Sequence, residues 1–288
     1  MFIRSLAVVI ALTAPLSAQE AGYLGSYRWQ SSDPLHGGYS SLELSEDGTR
    51  YVTVSDRGAF DTGQIIRDES GMISDVQSDG IVPLKGIDSD DLPKYGSDSE
   101  GLAQGADGTL YVSFEGKHRI WSYASPTSRA QVVPPHPDFQ ALQNNSGLEA
   151  LAIDAQGRLL TLPERSGDKS APFPVYRNGG GTFGIVYRIP RSGEYLPVGM
   201  DVGPDGKLYL LERWFRGIGF SSRVRRFDLS DSGISNEVTL IETSLGAHDN
   251  LEGIAIWEDP LGIRITMISD DNFKVFQVTE FVEYRVTE

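Results

Sequence analysis

Acidic residues recur at two fixed places around five turn glycines, Gly48, Gly108, Gly157, Gly206 and Gly262. Glu100 and Glu149 each stand eight residues before their glycine, and Glu252 stands ten before Gly262. Past the turns come Glu115 and Glu164 (seven after), Asp56 and Asp270 (eight after), and Glu212 (six after). The early position is Ser40 in the first unit and Val198 in the fourth, so that set is incomplete. Carboxylates that converge repel one another unless a proton or a cation relieves the clash. An oxygen-only donor set favours Ca²⁺, with Mg²⁺ as the alternative, over zinc. Glu100, Glu149 and Glu252 therefore read as metal ligands. Asp270, Asp271 and Glu164 read as the catalytic set, with Asp270 or Asp271 positioning water. The competing reading makes each acid a turn cap or a structural ion pair.

Arginines follow three of the late acids directly: Asp56-Arg57, Glu164-Arg165 and Glu212-Arg213. Guanidinium forks match phosphate and carboxylate groups. Arg57, Arg165 and Arg213 are thus candidates for binding a small anionic substrate, unless they only pair with the acids beside them. The Pro/Gly-rich stretch 169–181 reads by default as a plain surface loop, the alternative being that it folds over the same mouth and adds Tyr176 and Arg177 as substrate-binding residues. Among the four histidines, His248 is the functional candidate, because it precedes Asp249-Asn250-Leu251-Glu252.

The elements that must position these residues repeat with them. Each unit has an apolar run, a turn on glycine and a second apolar run ending in an acid. Three turns are Asp-Gly, a strong hairpin signal. The glycines are 60, 49, 49 and 56 residues apart, and further strand-like runs such as 119–123, 185–189 and 223–227 follow. Four short strands in a unit of about 50 residues is the signature of a propeller blade. The expectation is an all-β chain forming a single β-propeller of five countable blades, with a sixth able to hide in 61–91. An N-terminal strand, Tyr23 to Trp29, would complete the last blade and close the ring. The best helical candidate is a turn or two after Asp138.

Composition narrows the function. Forty acidic against 25 basic side chains give a charge of −15, which argues against nucleic acid and anionic membrane surfaces as partners. The chain has no cysteine, which removes disulfides, thiol nucleophiles and Cys-ligated metals. There is no Gly-x-Ser-x-Gly elbow, P-loop or His-Glu-x-x-His. Residues 1–18 have the layout of a signal peptide, a basic start, a short apolar middle and small residues before Gln19. The expected organisation is a signal at 1–18 and one propeller domain at 19–288, periplasmic or secreted and free of the membrane after cleavage. Oligomeric state is not legible.

Four segments, Asp98-Ser99-Glu100-Gly101-Leu102-Ala103, Ser146-Gly147-Leu148-Glu149-Ala150-Leu151-Ala152, Asn250-Leu251-Glu252-Gly253-Ile254-Ala255 and Ser269-Asp270-Asp271-Asn272-Phe273, together resemble the phytase-like family, the domain labelled "esterase-like activity of phytase". The resemblance runs from about Tyr39 to Phe276. It implies an exported bacterial protein that hydrolyses phosphoesters or related esters. By match, the family's acidic positions fall on Glu100, Glu149, Glu252, Asp270 and Asp271, and on Asp56, Glu115, Glu164 and Glu212. With no Arg-His-Gly motif, phosphatase chemistry here would be metal-assisted. A non-catalytic binding propeller with a structural metal is the second reading, and a lactonase-like sugar-acid hydrolase the third. Arginine and lysine lining the same mouth as the carboxylates would favour the anionic-substrate enzyme.

Overall fold

A computed structural model describes residues 21–92, 96–143, 146–179 and 181–287. The expected signal segment lies outside the described residues. Among the described residues, twenty strands form five four-stranded antiparallel sheets. The first blade holds β2 (Tyr39–Leu44), β3 (Arg50–Ser55), β4 (Ala59–Arg67) and β5 (Ile73–Pro83). The second holds β6 (Ser99–Gln104), β7 (Leu110–Phe114), β8 (Arg119–Tyr123) and β9 (Gln131–Val133). The third holds β10 (Leu148–Ile153), β11 (Leu159–Pro163), β12 (Phe173–Gly179) and β13 (Thr182–Ile189). The fourth holds β14 (Leu196–Val202), β15 (Lys207–Phe215), β16 (Phe220–Ser230) and β17 (Gly233–Glu242). The fifth holds β18 (Asn250–Asp259), β19 (Gly262–Asp270) and β20 (Glu280–Val286), and its outer strand is β1 (Ala21–Arg28).

β1 pairs antiparallel with β20 from Ala21↔Val286 to Arg28↔Glu280, so the chain's beginning completes the last blade as expected. Residues 61–91 contain β4 and β5 of the first blade and no sixth sheet. The stretch 173–179 is β12 rather than loop. The helical candidate after Asp138 is a single 3-10 turn, Pro137–Ala141. Gly48 and Gly108, at φ 65° and 84°, hold the left-handed conformation that their hairpin turns require.

Both faces of every blade are covered by its neighbours, which is why the second strands are apolar at almost every position. Five buried clusters fill the five gaps between blades. Val198, Tyr209 and Leu211 of the fourth blade meet Leu251, Ile254 and Ile265 of the fifth, for example. Ala103 and Ile120 of the second meet Leu148, Leu151 and Leu159 of the third. The strands β2, β6, β10, β14 and β18 surround the axis, each against the next. Among the described residues no helix is long and apolar enough to cross a membrane.

Candidate active site

The strands nearest the axis share one irregularity. In all five, the pairing register slips at the early position: at Ser40, Glu100-Gly101, Glu149, Val198 and Glu252. A bulge there frees one residue from the ladder and re-aims its side chain. It also accounts for the small residue after each acid. A Cβ on Gly101 would meet the Glu149 carbonyl oxygen at 2.9 Å, and one on Gly253 would meet the Ser41 carbonyl carbon at 2.6 Å. The recurring Glu-Gly/Ala pattern is thus a carboxylate offered at a bulge plus room for the neighbouring blade.

These bulges gather Glu100, Glu149 and Glu252 at one end of the channel, where Asp56, Glu115, Glu164 and Asp270 arrive from the ends of second strands. Glu149, Glu164, Glu252 and Asp270 are buried, whereas Asp56, Glu100 and Glu115 are half-buried. Arg213 enters this group from β15. Its Nη1 donates to Glu252 Oε1 and, at 2.7 Å, to Asn250 Oδ1, and its Nη2 stands 3.6 Å from Glu164 Oε1. Asn250 Nδ2 donates to Glu252 Oε1 at 2.8 Å and to Asp270 Oδ2 at 3.3 Å. Arg165 Nε lies 3.3 Å from Glu164 Oε2.

One guanidinium at the centre does not offset so many acids. Burial, then the repulsion of Glu252, Glu115 and Asp56, pushes Glu100 well above the ordinary carboxylate range. Burial and the charges of Glu100, Glu164 and Glu115 do the same to Glu149. Asp270 rises to about 8, first through burial and then through Glu252. Asp56 rises to about 7, through burial and then Asp270. Arg213 is held more firmly protonated by Glu252, Glu149, Glu164 and Glu100, against the opposing effect of its own burial.

Two recesses flank the carboxylates. A cleft of about 740 Å³ is lined by Glu164, Arg165, Lys169, Arg191, Arg213 and Lys274, with Asn250 and an aromatic wall of Trp214, Phe215 and Phe220. A second recess, of about 520 Å³, is lined by Asp56, Arg57, Ser97, Asp98, Glu100 and Glu115. The channel floor between Glu149 and Glu252 is closed by Leu42, Leu102, Leu151, Met200 and Ile254.

Several expected roles meet different surroundings. Glu252 reads from the sequence as a metal ligand, yet Arg213 of the neighbouring blade supplies its counter-charge. Asp271 ties down a loop: Oδ1 accepts from the Gly38 and Phe273 amides, both at 3.0 Å, and Oδ2 from Thr279 at 3.2 Å. Arg177 sits on β12, opposite Leu160, and faces Asp231 at 3.4 Å instead of folding over the mouth. Arg57 lies at the second recess with its guanidinium 3.2 Å from the Phe273 ring. Glu212 points between strands, buried against Arg223 and Arg225 at 2.6–2.8 Å, and is structural. His248 bonds the Tyr284 hydroxyl at 3.0 Å. Asn250 belongs to the polar segment His248-Asp249-Asn250 that leads into Glu252, where the sequence points to an amide ligand; Lys274 and the Trp214–Phe220 wall carry no such signal.

The acids present only oxygen donors, the chemistry of a hard-cation site. Asp56, Glu100 and Glu115 fit such an ion on that ground: they line one recess, and the Arg57 guanidinium beside them lies against the Phe273 ring. Among the described residues, no group of three acids or histidines stands already in metal-holding geometry.

A model of the family described as phytase-like, "Esterase-like activity of phytase", matches residues 34–273. No curated protein matches the chain. Solved structures similar to it include a protein of unknown function from Dyadobacter fermentans, at 11% identity and a TM-score of 0.48 over 91% of this chain and 86% of that one. Regucalcin from Agrobacterium tumefaciens, titled a calcium-binding protein, is similar at 13% identity and 0.47, over 88% and 79%. A gluconolactonase from Xanthomonas campestris is similar at 14% and 0.42, over 82% and 68%.

Proposed function

The chain belongs to the phytase-like family, described as "Esterase-like activity of phytase", and from that premise we propose that it is an exported hydrolase of small anionic esters, phosphoesters first, acting at the channel mouth. One observation carries the reading. In a chain of charge −15, five cationic residues, Arg165, Lys169, Arg191, Arg213 and Lys274, outnumber the acids Glu164, Asp168 and Glu194 in one cleft. A binder with scattered, satisfied arginines would not concentrate positive charge beside its acids. Among the described residues Lys169 and Lys274 make no ion pair, so they are free to meet an anion.

The division of labour follows from position. Lys169, Lys274 and Arg165 at the cleft hold the anionic group of the ester. Glu164, on the cleft wall and oriented by Arg165 and Arg213, accepts a proton from the attacking water. Asp270, raised to about 8 by burial and then by Glu252, supplies the proton that the departing oxygen requires. Arg213 holds Glu164 and Glu252 in place and limits the repulsion among them. Ca²⁺, if bound by Asp56, Glu100 and Glu115, would supply positive charge toward the anionic ester.

The test is hydrolysis by purified protein of phosphomonoesters, phosphodiesters, carboxyl esters and lactones, with Ca²⁺ and with chelator. Turnover of an anionic ester that rises with Ca²⁺ supports the reading. Inactivity on every ester under both conditions would contradict it and favour a binding propeller.

A further inference from the structure

The hairpin between β15 and β16 reaches beyond its blade at the mouth. Phe215 and Phe220 form its last cross-strand pair, with ring centroids 5.1 Å apart. Its turn is closed by the Arg216 amide on the Gly219 carbonyl at 2.9 Å, and the Gly246 amide holds the Phe220 carbonyl at 2.8 Å. Trp214 packs between Tyr195, at 5.8 Å, and the Arg216 guanidinium, at 4.4 Å. The aromatic wall is thus fixed by backbone and stacking contacts, yet Phe215 is 59% exposed and Ile218 at the tip is 91% exposed. Across the cleft, Lys274 is followed by Val275 and Phe276, which are fully and 77% exposed. Well-held aromatic groups left in water beside a cationic cleft have the character of a contact surface.

We infer that the cleft takes an amphiphilic anion, an ester whose charged group lies on Lys169, Lys274 and Arg165 and whose apolar chain or ring lies on Phe215, Phe220 and Trp214. The inference deepens the hydrolase reading and rests on that cleft being its substrate site. A purely polar polyanion would gain nothing from the aromatic side. A purely apolar ligand would leave two lysines unpaired. Cationic groups and an aromatic surface lining one cleft suit a molecule with one end of each kind.

Phosphonates test this, because their carbon–phosphorus bond gives an ester hydrolase nothing to cut. Calorimetric titration of the full protein with methylphosphonate and with monomeric octylphosphonate should show the octyl compound binding at least ~30-fold tighter, as expected when a few methylenes leave water. Phe215→Ser, at an exposed position, should reduce octylphosphonate affinity roughly tenfold and leave methylphosphonate unchanged. Lys169→Ala/Lys274→Ala should weaken both. Equal affinity for the two phosphonates overturns the inference, as does octylphosphonate binding indifferent to Phe215→Ser and to Phe215→Ser/Phe220→Ser. So does a dimer of the parent protein that Phe215→Ser dissociates, since the wall then faces a second copy. If octylphosphonate binds selectively but no ester is cleaved, the amphiphile site stands and the hydrolase reading falls. If small esters are cleaved while chain length has no effect on binding, the reverse holds.

Discussion

Arg213 pairs with Glu252 of the next blade and turns its back on Glu212, the residue that precedes it. Adjacent residues on a strand point to opposite faces. β15 therefore sends Glu212 into the blade, to Arg223 and Arg225, and Arg213 toward the channel, to Glu252, Asn250 and Glu164. One dipeptide supplies a structural ion cluster on one side and the counter-charge of the candidate site on the other.

Arg213→Gln should therefore destabilise the fold by about 3–5 kcal/mol at pH 8, the usual cost of stripping one partner from a buried pair. The loss should shrink at pH 5, where protonation of the acids replaces the missing cation. Urea denaturation at both pH values measures this; an equal loss at both would mean that Arg213 is not balancing charge.

Glu212→Ala should cost a similar ~3–5 kcal/mol, because it leaves Arg223 and Arg225 without their buried acid. Its effect on turnover per folded molecule should be small, since Glu212 faces away from the mouth. Active-site-normalised rates beside a denaturation curve separate the two effects. A collapse of turnover in folded protein would place Glu212 in the chemistry after all.

The repeat was legible because each blade repeats one local problem. A turn needs a glycine, and an acid at a bulge needs a small residue after it so that the next inner strand can approach. Gly101 and Gly253 show this directly. The side each acid faces follows from a spacing that is easily passed over. Glu164 stands seven residues after its turn glycine and Glu212 six, in sheets of the same register, so alternation along the strand sends one to the cleft and seals the other in its blade. The prolines and glycines around Arg177 point to a loop, yet β12 pairs through that region with β13. The Trp214–Phe220 wall escaped notice because an apolar hairpin tip looks like core until its exposure is known.

Stability should fall as pH rises from about 4 to about 8. Asp56 and Asp270 have native pKa values near 7 and 8, above their ordinary 3.8. In that window the native state binds more protons than the unfolded chain, so each rise in pH favours unfolding. A melting-temperature series in matched ionic strength checks it. A flat or rising profile would show that the acids are charged and compensated.

Ca²⁺ should raise the melting temperature, and more at pH 8 than at pH 6, because the ion competes with the same protons. At a hundredfold excess over Kd, mass action gives about 2.7 kcal/mol. Glu100→Gln should weaken this response, whereas Arg165→Ala should leave it intact. Identical melting with chelator and with millimolar Ca²⁺ at both pH values would remove the cation from the site.

The most direct test is the steady-state rate of Glu164→Gln on the best ester found for the parent protein, with folding confirmed. If Glu164 takes the proton from the attacking water at the cationic cleft, kcat should fall at least ~100-fold with KM little changed. A variant that turns over the ester at the parent rate would contradict a hydrolytic site at this mouth.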